Sequence, residues 1–150
     1  MQEAQLPVLD EYCRTGGMQV ETGYRVGRAL VRLDTPPTAV FCSNNKVLLG
    51  FMRALAEAGV ECPADVSVVG FDDFTWTENF HPPLTMVAQP ARELGRQAMH
   101  LLLSRIEGTS AAECQRVQLR PELHIRHSTA RVEEAPRRGK PAEPGQRHTF

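Results

Sequence analysis

The sequence predicts an α/β protein whose parallel sheet is flanked by helices. Two short apolar runs, at residues 38–42 and 66–71, have the length and the β-branched content of buried strands. Between them, residues 46–58 have the apolar spacing of a helix. The loops that join these elements are short, which is the pattern of a βαβ unit with a right-handed crossover.

A further helix precedes this unit, and both helices have clear stop signals. Apolar residues recur with helical spacing from Val20 to Leu33. Pro36 and Pro37 end that helix, because proline cannot continue it. In the βαβ unit, the side chains of Ser43-Asn44-Asn45 are predicted to cap the helix, and Gly59 is its C-terminal stop.

The second half contains one more strand, one long helix and an edge segment. Residues 75–81 are predicted to be a loop and residues 84–88 a strand. Pro90 stands near the first position of a helix that ends at Gly108. One face of this helix is apolar: Leu94, Ala98, Leu101, Leu102 and Ile106. Alternating apolar residues around Pro121 predict an edge strand or two short strands.

Composition limits the classes of function. The 150 residues are 41% hydrophobic and 23% charged, which suffices for one folded domain. A net charge of −1 argues against a strongly basic surface for nucleic acid. We find no stretch that would span a bilayer and no secretory signal, and we therefore expect a cytoplasmic protein. Four widely spaced cysteines without a C-x-x-C motif predict reduced thiols rather than a disulfide or a metal site.

Two neighbouring carboxylates, Asp72 and Asp73, directly follow the second strand. Ligands of open α/β sheets bind outside the carboxyl ends of the strands, so these side chains stand where a ligand would be. Neighbours at a strand end point in different directions, which makes them a poor general acid/base pair. A single carboxylate there can accept two hydroxyl hydrogens from a polyol or sugar. The alternative is that both carboxylates only cap the strand end.

The amides of Asn44 and Asn45 follow the preceding strand and should face the same crevice as Asp72. An amide both donates and accepts hydrogen bonds, which suits a sugar hydroxyl, although plain helix capping explains at least one of the two. A group of aromatic residues comes next in the chain: Phe74, Trp76 and Phe80. Such rings stack on sugars, anchor interfaces or fill the core.

No sequence motif indicates catalysis. G-x-S-x-G, the Walker motif and G-x-G-x-x-G are absent from the sequence. His124 and His127 are three residues apart on a predicted strand, so their side chains face opposite sides and do not share a metal. We therefore expect no enzyme activity, no cofactor and no metal.

The sequence resembles the effector-binding part of LacI/GalR-type bacterial transcription regulators, from about Arg14 to Thr129. The resemblance rests on ordered pieces at matching spacing: residues 37–41, 43–45, 49–50, 63–73, 83–85, 89–90, 94–95, 123–126 and 128–129. It implies a periplasmic-binding-protein-like fold, in which the effector lies between two α/β subdomains. The headpiece that binds DNA and much of the fold have no counterpart here. We therefore expect an incomplete, N-terminally truncated domain: residues 1–13 as the remnant of a preceding element, 14–129 as the effector-binding domain and 130–150 as a disordered tail.

The resemblance also implies site residues. Asn44, Asp72 and Gln89 match polar effector contacts, and Met18 stands where many relatives have an aromatic contact. Phe74 is a further candidate for contact with the effector. The sequence departs from the family at Asn45, where aspartate is more common, and at Met86, where threonine is usual.

The implied function is binding of a small effector, a sugar or a related polar molecule, with DNA bound only through the absent headpiece. The alternative is a transport-associated sugar-binding protein of similar fold. We also expect a homodimer, because the helix at 46–58 has a second apolar row that one sheet cannot cover. The expected interface is Leu48, Met52, Leu55, Trp76 and Phe80. Alternatively, segments of the missing subdomain cover this row.

Overall fold

The structure is a computed structural model, and it describes residues 9–109 and 114–131. Within these ranges the chain forms four helices and four strands. In order they are α1 (Val20–Leu30), β1 (Ala39–Cys42), α2 (Asn45–Ala58), β2 (Ser67–Phe71), α3 (Thr75–Glu78), β3 (Thr85–Ala88), α4 (Ala91–Ile106) and β4 (Glu122–His124). The expected remnant at 1–13 and the expected tail at 130–150 lie largely outside the described residues.

The strands form one sheet in the order β1-β2-β3-β4. The first three strands are parallel, with Val40 opposite Val68 and Gly70 opposite Met86. β4 pairs antiparallel with β3 and places His124 opposite Met86. The predicted α/β class and βαβ unit are confirmed, and the segment around Pro121 provides a single edge strand. Because β1, β2 and β3 are parallel, their last residues, Cys42, Phe71 and Ala88, lie at the same edge of the sheet.

Helix α2 has the termini that the sequence predicts. Asn44 is in extended conformation, and its Oδ1 accepts a hydrogen bond of 2.8 Å from the backbone N–H of Val47. At the other end, Gly59 adopts the left-handed conformation with φ 65°, which glycine takes without steric cost.

Three glycines bring α1 and α2 into direct backbone contact. A Cβ atom at Gly23 would lie 2.0 Å from the carbonyl oxygen of Val47, and one at Gly50 would lie 1.9 Å from that of Val20. Further along, Gly27 faces Ala54 and Phe51. Residues nearer the C-terminus of α1 contact residues nearer the C-terminus of α2, so the two helices run parallel. Their N-termini therefore lie at the same end of the protein as the carboxyl ends of the strands.

The expectation of an exposed second row on α2 is wrong. Leu48, Met52 and Leu55 belong to the core, with exposed fractions of 0%, 7% and 1%. The sheet covers one side of α2, where a Cβ atom at Gly70 would lie 2.6 Å from the Leu48 side chain. Helix α1 covers the other side, so both apolar rows are buried within the same chain. The rings of Trp76 and Phe80 are 5.9 Å apart and pack, partly buried, against this core.

Two further segments differ from the expectation. Residues 75–78 form the short helix α3 within the predicted loop, because Thr77 Oγ1 closes the turn onto the carbonyl of Phe74 at 2.6 Å. In α4 no residue is buried, so the apolar face predicted there remains open to solvent in the described chain. None of the described helices is long and apolar enough to cross a membrane.

The segment after β4 is tied into the sheet by one serine. Ser128 is fully buried, and its Oγ donates to the carbonyl of Val68 at 2.6 Å and accepts from the N–H of Thr85 at 2.7 Å. The carbonyl of Ser128 also accepts from the N–H of Val68 at 2.7 Å. These bonds hold the end of the described chain against β2 and β3, close to the residues that begin both strands.

Candidate functional site

Three polar side chains follow the three parallel strands at the carboxyl edge of the sheet. Asn44 comes two residues after β1, Asp72 directly follows β2, and Gln89 directly follows β3. All three are among the residues that the sequence indicates for effector binding. The strand ends place them along one edge, as expected for a ligand site in an open α/β sheet.

Asp72 has an unusual backbone conformation and a defined side-chain partner. Its φ is 72°, and among the described residues it is the non-glycine residue with positive φ. Its N–H donates to the carbonyl of Val87 at 3.1 Å, and its Oδ1 accepts from Nε2 of Gln89 at 2.5 Å. The structure thus brings two predicted site residues, Asp72 and Gln89, into direct contact. Positive φ is uncommon in residues with a side chain, although aspartate adopts it more readily than most.

The amide of Asn44 has two different roles for its two atoms. The residue is only 6% exposed, and its Oδ1 caps α2 through the Val47 N–H. Its Nδ2 is buried and has no hydrogen-bond partner among the described residues. A buried amide N–H without a partner costs about 1–3 kcal/mol. Helix capping by Asn44, one of the two alternatives from the sequence, is confirmed, whereas its contact with an effector stays a prediction.

Asp73 is turned away from Asp72 and belongs to a separate cluster. Arg126 donates to it through two nitrogens, Nη1 to Oδ1 at 3.0 Å and Nη2 to Oδ2 at 2.7 Å. Thr77 Oγ1 donates to Oδ1 at 2.5 Å, and His124 Nδ1 lies 2.6 Å from Oδ2. Burial raises the pKa of Asp73, but the hydrogen bonds from Arg126, Thr77 and His124 outweigh it and hold the pKa well below its usual range. The hydrogen bond to Asp73 raises the pKa of His124.

Sequence reasoning missed this cluster. It joins Asp73 to Arg126, 53 positions later in the chain, in a segment for which the sequence predicts an edge strand or two short strands. The prediction that the two aspartates form no acid/base pair is consistent with their separate partners.

Met18 and Phe74 are exposed, with fractions of 64% and 47%. Because α1 starts at the same end as α2, Met18 lies at the site end of the chain, immediately before α1. Phe74 immediately precedes α3. Among the described contacts, neither residue touches Asn44, Asp72 or Gln89. Their assignment to an effector site stays a prediction.

Two further features of the described chain lie beside this edge: an open depression that begins directly after Gln89 and a buried cysteine at the end of β1. An open depression of about 620 Å³ is lined by the start of α4, at Pro90, Ala91, Arg92, Glu93 and Arg96, and it includes neither Asn44 nor Asp72. Burial raises the pKa of the Cys42 thiol to about 12, so it is protonated at neutral pH. In the described parts of the chain, no group of three His, Cys, Asp or Glu side chains is arranged to hold a metal.

Comparison with known proteins identifies the family. A family model described as a periplasmic binding protein-like domain matches residues 1–129. The HTH-type transcriptional repressor PurR of Vibrio parahaemolyticus is 36% identical over 132 residues, which are 88% of this chain and 39% of the relative. The chain thus spans about two fifths of the length of this curated relative.

Solved structures agree with this relationship. A regulatory protein of the LacI family from Chloroflexus aggregans has a TM-score of 0.77 and 34% identity, over 87% of this chain and 47% of that one. A LacI family transcriptional regulator from Enterococcus faecium, with bound ribose, has a TM-score of 0.66 and 36% identity, over 75% of this chain and 40% of that one. The chain belongs to the periplasmic binding protein-like domain family.

Proposed function

We propose that this part of a LacI-type regulator binds a small polyhydroxylated effector, of the sugar class, at the edge formed by Asn44, Asp72 and Gln89. One observation carries the proposal: the buried Nδ2 of Asn44 lacks a partner among the described residues, at the same sheet edge as the Asp72 carboxylate. A ligand oxygen that accepts from Asn44 would remove the cost of that unpaired donor.

The three side chains offer complementary chemistry to a hydroxyl-bearing ligand. Asp72 Oδ1 already accepts from Gln89, which leaves Oδ2 to accept a hydroxyl hydrogen. Because Gln89 donates through Nε2, its Oε1 can serve as a second acceptor. Asn44 Nδ2 supplies the donor for a hydroxyl oxygen. Ribose in the Enterococcus faecium relative supports a sugar as the ligand class.

The expected affinity of this chain alone is modest. A hydrogen bond to a charged group contributes about 1.5–3 kcal/mol and a neutral one about 0.5–1.5 kcal/mol. One charged and two neutral contacts then amount to roughly 2.5–6 kcal/mol, and a dissociation constant of 1 mM corresponds to about 4.1 kcal/mol. We therefore expect binding in the millimolar range for a site formed by these three side chains alone.

The test is a titration of the ¹⁵N-labelled chain with ribose, followed by NMR. The Asn44 side-chain amide signals should shift, because a new acceptor reaches Nδ2. Asp72→Asn should abolish the shifts, and it preserves the backbone because Asn tolerates positive φ. Glu107→Gln, which removes the same charge at the far end of α4, should leave them unchanged. Ribose titration to about 50 mM without any shift at Asn44 would contradict the proposal.

We also propose that the chain forms a homodimer through α2 and the aromatic residues beside it. Leu48, Met52 and Leu55 now belong to the core, so the apolar surface is smaller than the sequence implied. What supports an interface is the exposed Leu49 of α2, 41% accessible, together with the partly buried Trp76 and Phe80. We assign DNA recognition to a headpiece outside these 150 residues.

A further inference from the structure

We propose that Arg126 is a positioning residue that decides which of the two adjacent carboxylates, Asp72 or Asp73, faces the effector. The inference rests on the proposed function, because it concerns the same sheet edge. Asp72 and Asp73 are chemically identical neighbours at one strand end, and their side chains point in different directions. The chain therefore needs a contact that holds one of them away from the ligand.

Arg126 makes that contact through both terminal nitrogens of its guanidinium group. Nη1 donates to Oδ1 of Asp73 and Nη2 to Oδ2, at 3.0 and 2.7 Å, which is the two-pronged geometry of an arginine–carboxylate pair. The side chains of Arg126 and Asp73 are only 14% and 11% exposed, so the pair is largely shielded from water. Removal of Arg126 would leave the shielded Asp73 carboxylate with Thr77 and His124 as its remaining partners, and the loss of its cation would favour its turning towards water.

Arg126 is itself held by the elements around it. Its backbone N–H donates to Thr85 Oγ1 at 3.0 Å, and its Nη1 donates to the carbonyl of Leu84 at 2.8 Å. Nη2 also reaches Glu78 of α3 at 3.0 Å. The guanidinium group thus connects the end of β2, helix α3 and the start of β3. Asp73 is fixed against a frame that has little freedom to move.

Fixing Asp73 determines the conformation of Asp72. The positive φ of Asp72 is uncommon for a residue with a side chain, and two hydrogen-bonded neighbours hold it in place here. On one side the Asp72 N–H is bonded to Val87 O, and on the other side the next residue is held by Arg126. These two restraints leave the Asp72 side chain directed to Gln89 at 2.5 Å. Arg126 therefore acts on the effector site without touching an effector.

The experiment compares Arg126→Gln with a control variant that should lose a similar amount of stability through a substitution away from the site. Leu30→Ala removes a buried side chain at the end of α1, far along the chain from both aspartates. In each ¹⁵N-labelled chain, two signals report the geometry of the free protein. They are the Gln89 side-chain amide shifts and the strong intraresidue HN–Hα Overhauser effect that a positive φ gives at Asp72. A ribose titration then reports affinity.

We expect Arg126→Gln to lose both geometric signals and to bind ribose about tenfold more weakly, which corresponds to about 1.4 kcal/mol. Leu30→Ala should keep both signals and the parent affinity. If Arg126→Gln does not fold, Arg126→Lys serves instead, because one ammonium group cannot make the two-pronged contact.

A folded Arg126 variant that retains the Gln89 shifts and the Asp72 Overhauser effect would overturn the positioning role. Equal loss of the signals in Leu30→Ala would overturn it too, since the effect would then follow stability alone. In a third outcome the parent chain does not bind ribose, and the Arg126 variant still loses both signals. That outcome supports the positioning role and contradicts only the choice of ribose as ligand.

Discussion

Substitution of Gly50 by alanine tests whether the close approach of α1 and α2 holds the protein together. The added Cβ would lie 1.9 Å from the carbonyl oxygen of Val20 and 2.7 Å from the N of Tyr24, both of them backbone atoms. For the first distance to reach 3.4 Å, where ordinary contact begins, the two helices would have to separate by about 1.5 Å. A gap of that size forfeits much of the dispersion energy between them.

The expected result is a net loss of stability. Alanine improves helix propensity by about 1 kcal/mol, whereas overpacking against rigid atoms costs about 1–3 kcal/mol and occasionally more. Because the clash is with backbone in both contacts, we expect the upper end of that range and a net loss of about 2 kcal/mol. In thermal unfolding followed by circular dichroism, this corresponds to a decrease in Tm of roughly 8 °C.

Gly95 provides the matched control. It lies within α4, and a Cβ atom built there meets nothing within 4 Å among the described atoms. Gly95→Ala should therefore leave Tm unchanged or raise it slightly, through helix propensity alone. A Gly50→Ala protein as stable as the parent chain would refute the reasoning, because it would show that α1 and α2 are not in backbone contact.

Three further predictions follow from the described contacts. The lowered pKa of Asp73 contributes stability that is present above its unfolded pKa of about 3.9 and is lost as pH falls towards and below that value. The raised pKa of His124 gives the opposite pH dependence. Its contribution to stability is complete below about pH 6.5 and is lost as pH rises through the folded pKa. His124→Gln should therefore remove the decline in Tm with rising pH and keep the decline in Tm at acid pH. Ser128→Ala leaves buried backbone groups of β2 and β3 without a partner and should cost about 2–4 kcal/mol in urea unfolding; a loss below 0.5 kcal/mol would mean that these groups find other partners. Leu49→Glu should convert a dimer into a monomer in sedimentation while the monomer keeps the circular dichroism spectrum of the fold, whereas Glu107→Gln should leave the mass unchanged.

The local elements could be predicted from sequence because their signals are local. Asn44 and Gly59 mark the two ends of α2 through side-chain capping and left-handed conformation, and both act within a few residues. The apolar run ending at Phe71 predicted β2 and, with it, the position of Asp72 at the sheet edge. Since parallel strands end together, Asn44 could be placed at that edge without a structure, whereas only the family resemblance indicated Gln89.

What the sequence did not predict depends on contacts between distant segments. The periodicity of α2 shows that two rows are apolar, but it contains no information on which of them another element covers. That information lies in Gly23 and Gly27, whose missing side chains let α1 approach. The pairing of Asp73 with Arg126 spans 53 residues and leaves no periodic signal.

Helix α4 connects β3 to the segment that contains β4, and this segment contacts the sheet through bonds that do not involve α4. It has no buried residue, whereas the segment after it pairs β4 with β3, bonds His127 N to Pro83 O at 3.0 Å and inserts Ser128 between β2 and β3. The covalent connection through α4 then acts mainly as a tether that keeps the local concentration of this segment high. Cleavage within α4 removes this local concentration, so the two peptides would then stay together only at protein concentrations above the dissociation constant of their remaining contacts.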